Sequence, residues 1–330
     1  MASYLIRRLI YMVFLLLALS LLAFVLIELP PGDFIAGMIR RMENSGMNIS
    51  QAEAERLREY YGLNGSMWSR YTKWFGHLME GELGFSMMYE RSVNELIGKR
   101  FPLTVMLSLG TLVVTYLIAV PIGVYSATHQ YSIGDYTAMT FGFLGLATPN
   151  FLLALILMFL TTKYFDWTPG GLFSPEHDLA GWSFAKFVDL MTHLPVPVIV
   201  IGTAATAGLI RVLRASLLDE LAKQYVITAR AKGLGEKRLL IKYPLRVAIN
   251  PIVSGIGGIL PGLVSGETLV AIVMSLPTIG PLLLEALQQQ DMYLAGSLVL
   301  LLGALGMIGT MVSDVLLVIV DPRIRFEAME

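Results

Sequence analysis

Cysteine is absent from the 330-residue chain, and charged residues are scarce. Without thiols the protein has no disulfide framework, no thiolate metal site and no cysteine nucleophile. Charged residues make up 15% of the chain and hydrophobic residues 55%, whereas soluble domains average about 25% charged residues. This balance excludes a disordered chain and argues against a soluble enzyme. It favours a protein that crosses a membrane several times.

Net charge, histidine positions and the lack of a nucleotide-binding motif argue against a nucleic-acid binder, a metalloprotein and an ATPase. The formal net charge of -1 is not that of a basic nucleic-acid binder. The four histidines, His77, His129, His177 and His193, fall outside the apolar runs and lack metal-ligand spacing. The chain also lacks the Gly-x-x-x-x-Gly-Lys-Ser/Thr loop that cradles nucleotide phosphates. We therefore expect no metal site, no catalytic residue and no ATP hydrolysis on this chain.

Long apolar runs dominate the sequence. A membrane-spanning helix needs about 20 mostly apolar residues. The segments that meet this requirement are Leu9–Ile27, Leu103–Ala127, Ala138–Thr162, Val196–Leu218, Ile249–Leu276 and Tyr293–Val320. The first run is too long for a signal peptide and no cleavage pattern follows it, so we expect an uncleaved anchor. The predicted fold is an all-α polytopic membrane protein with six transmembrane helices.

Lysine and arginine residues predict the orientation of these helices. They concentrate before the first span, between the fourth and fifth spans, and after the sixth. Cytoplasmic segments carry this excess, so both termini are predicted to be cytoplasmic. The predicted parts are a cytoplasmic N-terminus with the first span (1–29), an extracytoplasmic segment (30–102), a core of five spans (103–320) that includes a cytoplasmic loop (219–249), and a cytoplasmic tail (321–330).

The extracytoplasmic segment contains a recognisable helix and an aromatic cluster. Ser50 and Glu53 have the spacing of a capping box, which predicts a helix to Tyr61 with Gly62 as its left-handed end. Four aromatic residues follow at roughly helical spacing: Trp68, Tyr71, Trp74 and Phe75. Two interpretations stay open, a docking surface for an outside partner and a cap that packs on the protein's own spans.

Four ionisable residues within the spans are candidates for intramembrane roles, because charged groups there are costly. Arg211 and Arg214 lie one turn apart near the cytoplasmic end of the fourth span. Snorkelling to the interface would satisfy them, and so would pairing with Asp314 of the sixth span. Glu267 follows Pro261 in the fifth span. It either lines a polar pathway or is a structural carboxylate beside the bend that proline imposes.

The cytoplasmic loop after the fourth span is the most informative segment. Residues Leu221–Lys232 have the pattern of a short amphipathic helix, which Gly233 ends. A second turn then begins at Gly235 and carries Lys237 and Arg238. Two short helices of this kind cannot cross a membrane, and they would present a shaped basic surface on its inner face. Charge alone would be equally typical of an ordinary positive-inside loop.

A family resemblance is carried by the run Gln224-Tyr225-Val226-Ile227-Thr228-Ala229-Arg230-Ala231-Lys232-Gly233-Leu234. This run resembles the coupling loop of binding-protein-dependent ABC importer permeases, most closely the dipeptide/oligopeptide branch. The family's Glu-Ala-Ala triplet falls on residues 227–229, of which only Ala229 matches. Further stretches similar to this branch occur in order along the chain: Tyr4–Leu9, Pro31–Asp33, Gly81–Ser86, Arg100–Thr104, Ala147–Phe151 and Asp321–Arg325.

The resemblance implies a permease subunit that is not itself an enzyme, in the inner membrane of a prokaryotic cell. Its partners would be a second homologous permease subunit, two cytoplasmic ATP-binding subunits and an extracytoplasmic solute-binding protein. ATP and magnesium would be bound by the partner subunits, with no cofactor in this chain. The ATPase-coupling residues that the resemblance implies are Ile227, Thr228, Ala229, Lys232, Gly233 and Leu234.

One departure from the family pattern leaves the solute open. Members commonly carry a glutamate six residues before a Pro-Gly-x-Gly motif, and here Ala271 takes that position before Pro277–Gly280. Glu267, four residues earlier, falls on a similar helix face. Di- or oligopeptides are the expected solute, with oligosaccharides, opines, nickel or glutathione as alternatives. The rival class is a proton- or ion-coupled secondary transporter, which would use a carboxylate near the bilayer midplane.

Overall fold

The computed structural model describes residues 2–29, 32, 34–45, 50–178, 180–265 and 268–320. Within these residues the regular structure is helical, apart from one antiparallel hairpin of two-residue strands, β1 (Phe85–Ser86) and β2 (Arg91–Ser92). The chain divides into two compact units. The predicted all-α class is thereby confirmed.

The first unit comprises the chain up to Thr104 together with Pro277–Leu305. It contains the strand pair, the beginning of α5 (Val93–Thr128) and the first half of α17 (Met292–Val320). Its remaining helices are α1 (Ala2–Glu28), α2 (Phe34–Asn44), α3 (Gln51–Tyr60), α4 (Met67–Met79) and α16 (Ile279–Gln288).

The second unit comprises Val105–Leu276 and the chain from Gly306 onward. It contains the larger part of α5 and the end of α17. Its other helices are α6 (Ile133–Ala147), α7 (Asn150–Phe165), α8 (Pro175–Asp178), α9 (Phe184–His193), α10 (Pro195–Leu221), α11 (Gln224–Ala231), α12 (Glu236–Lys242), α13 (Pro244–Ala248), α14 (Asn250–Ser265) and α15 (Thr268–Val273).

Four of the described helices, α1, α5, α10 and α17, are long and apolar enough to cross a membrane. The number rises to six if each of two bent pairs is one span: α6 with α7, and Glu236–Ala248 with the start of α14. The protein is therefore a multi-pass helical membrane protein. The predicted fifth span coincides with α14 and α15, and Gly266 and Glu267 between them lie outside the described residues.

The predicted span Ala138–Thr162 is divided between two helices, α6 and α7. Helices α6 and α7 are bent by 101° relative to each other, and Thr148 between them is extended, with φ -87° and ψ 121°. The cause is Pro149, which has no N–H to donate and disfavours helical conformation in the residue before it. Its carbonyl accepts the backbone N–H of Leu152 and of Leu153, at 3.0 and 3.1 Å. A new helix therefore begins after the proline.

Helix α3 begins where its sequence predicts and ends at Tyr60, one residue before the predicted Tyr61. Ser50 caps it in an extended conformation, and its Oγ accepts the backbone N–H of Glu53 at 3.3 Å. The helix ends at Tyr60, and Gly62 follows with φ +67°. A side-chain oxygen at the N-terminus and a left-handed glycine past the C-terminus satisfy groups that the helix leaves unpaired.

The aromatic residues of α4 mostly pack within the protein. Trp74 is buried, and its ring centroid lies 5.9 Å from that of Phe24 on α1. The hydroxyl of Tyr71 lies 2.9 Å from the Oγ of Ser20, also on α1. Trp68 remains exposed. Packing on the first span therefore accounts for Trp74 and Tyr71, whereas Trp68 belongs to the surface.

A buried carboxylate links β1 to the start of α17. Asp291 is fully buried, and its Oδ2 accepts the Ser86 hydroxyl at 2.6 Å and the Met88 backbone N–H at 3.0 Å. Its Oδ1 caps α17 by accepting the backbone N–H of Leu294 at 3.3 Å. Burial raises the pKa of Asp291, against the opposing effect of these hydrogen bonds. The family-like stretch Gly81–Ser86 is thus held by a residue about 200 positions away.

Replacing Asp291 by alanine is expected to lower the free energy of unfolding by about 3 kcal/mol, because three donors lose their acceptor. Asp291→Asn keeps one acceptor oxygen and should cost less. Because the folded pKa is raised, the stabilising contribution of the protonated carboxyl is fully present below the unfolded pKa and lost as pH rises through the folded pKa. Asp291→Asn should abolish this dependence.

Tryptophan-fluorescence thermal unfolding of the detergent-purified chain at several pH values measures both effects. Glu80→Ala is the matched control, since Glu80 is an exposed carboxylate in the same unit. If Asp291→Ala unfolds at the same temperature as this control, the carboxylate does not hold the strand pair to α17.

Candidate functional site

The segment between α10 and α14 begins with two short helices, α11 and α12, which are joined by a turn. Helix α11 begins at Gln224, three residues later than the predicted Leu221, because α10 itself continues through Leu221. Gly233 follows α11 with φ +80°. Gly235 then caps α12, which carries Lys237 and Arg238. The predicted turn at Gly233 is confirmed, and the helix start is corrected by a few residues.

A small apolar cluster holds α11 against α12. Val226 and Ala229 on one face of α11 are buried together with Leu239 of α12. Leu234 and Tyr243 pack around them and are partly buried. The two short helices are therefore one packed block, which is hereafter called the loop block (224–243).

The six predicted coupling residues divide between the inside and the outside of the loop block. Ala229 is buried, and Leu234 is partly buried in the apolar cluster. The remaining four, Ile227, Thr228, Lys232 and Gly233, are exposed. An exposed strip with an apolar side chain, a hydroxyl and a cation is chemically suited to contact another protein. Thr228 also donates its hydroxyl to the Gln224 carbonyl at 2.8 Å.

An ion pair that the sequence did not predict spans the Gly233 turn. The Arg230 guanidinium donates from Nε to Oε1 of Glu236 at 2.6 Å and from Nη2 to Oε2 at 3.1 Å. Both side chains are largely exposed, so the pair adds little stability but limits the geometry of the turn. In the sequence, Glu236 follows Arg230 by six residues with Gly233 between them, and this spacing is the pattern that indicates the ion pair.

A second unpredicted contact ties α11 to the end of α10. Glu220, in the last turn of α10, is buried, and its Oε2 accepts the Tyr225 hydroxyl at 2.5 Å. Lys223 lies 2.9 Å from the other carboxylate oxygen. The three residues lie on either side of the short break between α10 and α11. We hereafter call this contact the Glu220 anchor (Glu220, Lys223 and Tyr225).

Arg214 has a different partner from the predicted Asp314. Its Nε and Nη2 donate to the two carboxylate oxygens of Asp135 on α6, both at 2.7 Å. Asp135 is buried, and it also accepts the backbone N–H of Tyr131 at 3.0 Å. This paired geometry replaces snorkelling as the account of Arg214. The sequence signal for the position of Asp135 is its place three residues after Ser132, the residue that caps α6.

The other intramembrane candidates are placed as follows. Arg211 is exposed on α10, one turn before Arg214. Asp314 lies in the last third of α17, and its side chain is not without an interaction partner. Glu267 lies outside the described residues, so its assignment to a polar pathway stays a prediction.

His77 lies near two carboxylates, which its sequence spacing does not suggest. Ligand atoms of His77, Glu80 and Glu82 lie within 4.8 Å of one another at the turn after α4. All three side chains are exposed. Exposed groups of this kind are well solvated, so the cluster alone does not indicate a metal site.

The spans and the loop block define a class of protein: a multi-pass helical membrane protein with a folded block between two of its helices. The family model for the binding-protein-dependent transport system inner membrane component matches residues 119–326, more than half of the chain. The chain belongs to this family and is a permease subunit of an ABC importer.

Relatives align with the chain over nearly its whole length. The oligopeptide transport system permease protein AppB of Bacillus subtilis (strain 168) is 35% identical over 328 residues, which cover 99% of this chain and 100% of the relative. The dipeptide transport system permease protein DppB of Escherichia coli (strain K12) is 30% identical over 341 residues, covering 98% and 99%. The oligopeptide transport system permease protein OppB of Salmonella typhimurium is 28% identical over 327 residues, covering 99% and 100%. The resemblance to the peptide branch is thereby confirmed.

Proposed function

We propose that this permease moves di- or oligopeptides from an extracytoplasmic binding protein into the cytoplasm of a prokaryotic cell. Full-length similarity to permeases named for oligopeptide and dipeptide transport supports this solute class. The same machinery carrying oligosaccharides or another solute is the alternative, because Ala271 replaces the common family glutamate. Mass spectrometry of the solute that co-purifies with the binding protein distinguishes these solutes.

The loop block carries the proposal for how ATP drives this transport. Two cytoplasmic ATP-binding subunits, which bind ATP and magnesium, contact the exposed strip around Thr228 and Gly233. A second homologous permease subunit completes the membrane part. Both termini and the loop block then lie in the cytoplasm, as the lysine and arginine distribution predicts. ATP shifts the permease between outward-open and inward-open states by favouring one of them.

Cysteine crosslinking tests this arrangement directly, because the chain has no native cysteine. We expect Thr228→Cys to crosslink to a single-cysteine ATPase subunit in membranes, with a yield that changes at least about threefold on adding ATP, since closure changes the distance. Phe184→Cys is the control, because Phe184 is exposed in a segment that is predicted to be extracytoplasmic. It should give no crosslink.

A secondary transporter predicts the opposite outcome. Uptake would then persist without the ATPase subunits and collapse with the proton gradient, and Thr228→Cys would react no better than Phe184→Cys. Glu267 would be the carboxylate to test in that case.

A further inference from the structure

Helix α11 is held at its two ends by polar contacts of different kinds. At its start, the Glu220 anchor joins α11 to α10, and Glu220 is only 9% exposed. At its end, Arg230 pairs with Glu236 of α12, and those side chains are 48% and 66% exposed. Tyr225 is itself 39% exposed, so its hydrogen bond to Glu220 is partly buried. A partly buried hydrogen bond to a charged group still contributes more than an exposed ion pair, which solvent screens. The anchor is therefore the stronger of the two contacts.

The apolar contacts of α11 do not duplicate the anchor. Val226 and Ala229 pack against Leu239, Leu234 and Tyr243, all of which belong to the loop block itself. Among the described residues, this cluster contains no side chain from α10. Lys223, which precedes α11, also makes no side-chain capping bond. The anchor is thus a direct side-chain contact of α11 with α10, whereas α12 contacts α10 through Leu240, which packs in a separate cluster with Leu213 and Leu217.

We propose that Glu220 and Tyr225 are positioning residues that fix α11 to the end of α10. A displacement of α11 is then passed into α10 as a movement of that span. The Tyr225 hydroxyl donates to one carboxylate oxygen and Lys223 neutralises the other, so the buried charge is satisfied only while α11 keeps its place. The inference rests on the proposed contact between the loop block and the ATPase subunits.

The test uses the complete importer in proteoliposomes, with Tyr225→Phe and Glu220→Gln as variants. Tyr225→Phe removes only the donor, and Glu220→Gln keeps an acceptor oxygen without the charge. Glu236→Gln is the matched control, because it weakens an exposed pair within the loop block. We expect Tyr225→Phe to lower solute transported per ATP hydrolysed about fivefold to tenfold, less than the loss of a fully buried hydrogen bond to a charged group would give, because Tyr225 is partly exposed. Glu220→Gln should be intermediate and Glu236→Gln should change the ratio less than about twofold.

A distance measurement separates positioning from stability. Spin labels at cysteines introduced for Ala215 on α10 and Ala231 on α11, both exposed, report the separation of these two sites in the purified complex. The distance distribution should broaden or shift in Tyr225→Phe and stay as in the parent in Glu236→Gln. ATPase subunits should co-purify equally with all variants.

Three outcomes would overturn the inference: Tyr225→Phe with unchanged distances and unchanged transport per ATP, Glu236→Gln with an equal effect, or loss of ATPase co-purification in Tyr225→Phe. The last would make Tyr225 a docking contact instead. Failure of the proposed function is distinguishable, since it would appear as absence of the Thr228→Cys crosslink in the otherwise unchanged protein.

Discussion

Replacing Gly233 by threonine is expected to reduce transport at least about tenfold. Gly233 has φ +80°, a conformation that costs other residues roughly 1–2 kcal/mol and is worse for β-branched side chains. No described heavy atom lies within 4 Å of a Cβ built at this position. The defect would therefore come from backbone strain and not from a clash. Relief of the strain would rotate α11 away from α12 and change the exposed strip.

Two companion substitutions make the Gly233 prediction specific. Gly235→Thr is the matched control, because Gly235 is equally open but has φ -62° and caps α12, where threonine is about as good as glycine. It should keep nearly full transport. Gly233→Asn should retain most of the activity, since asparagine tolerates left-handed backbone. Transport assays with expression-matched membranes measure all three, and equal loss at both glycines would contradict the conformational explanation.

Breaking the Asp135–Arg214 pair is expected to destabilise the folded chain. Asp135→Ala removes both acceptors from the guanidinium of Arg214, whose side chain is 20% exposed. An uncompensated buried charge of this kind costs about 3–5 kcal/mol. Because one partner is partly exposed, we expect about 3 kcal/mol, seen as a lower unfolding temperature of the detergent-purified chain.

A double-mutant cycle tests whether the charge itself is responsible. The pair Asp135→Asn with Arg214→Gln should be more stable than Asp135→Asn alone, since no buried charge is left unpaired. The exposed pair Arg230–Glu236 is the control, and Glu236→Gln should cost less than about 1 kcal/mol. Additive costs at Asp135 and Arg214 would show that the two side chains do not stabilise each other.

Several features of this protein are local, and the sequence alone predicted them well. Apolar run length indicated most of the spans, because about 20 apolar residues are needed to cross a bilayer. Ser50 and Gly62 marked the ends of α3 through hydrogen bonds and backbone angles of their own neighbourhood. Gly233 predicted a turn for the same reason. Each of these depends on a few consecutive residues.

Two predictions from the sequence differ from the structure because local signals compete with the hydrophobic pattern. Pro149 was visible in the sequence, yet the apolar run across it suggested a continuous span, whereas the structure bends there by 101°. The amphipathic pattern predicts that the helix begins at Leu221, because the pattern extends into the end of α10, whereas α11 begins at Gln224. Hydrophobic pattern alone does not separate two helices that meet at a short polar turn.

By itself, the sequence determined that this chain is a helical membrane protein that resembles the permease family and has a turn at Gly233 in the loop block after α10. Only the tertiary structure decided the polar pairings: Asp135 with Arg214, Ser86 with Asp291, and Glu220 with Tyr225. Two of these three pairs join residues that are 79 and 205 positions apart. The physical reason is that a buried charge takes whichever donor the packed helices bring within about 3 Å, and sequence spacing does not state which helices pack together.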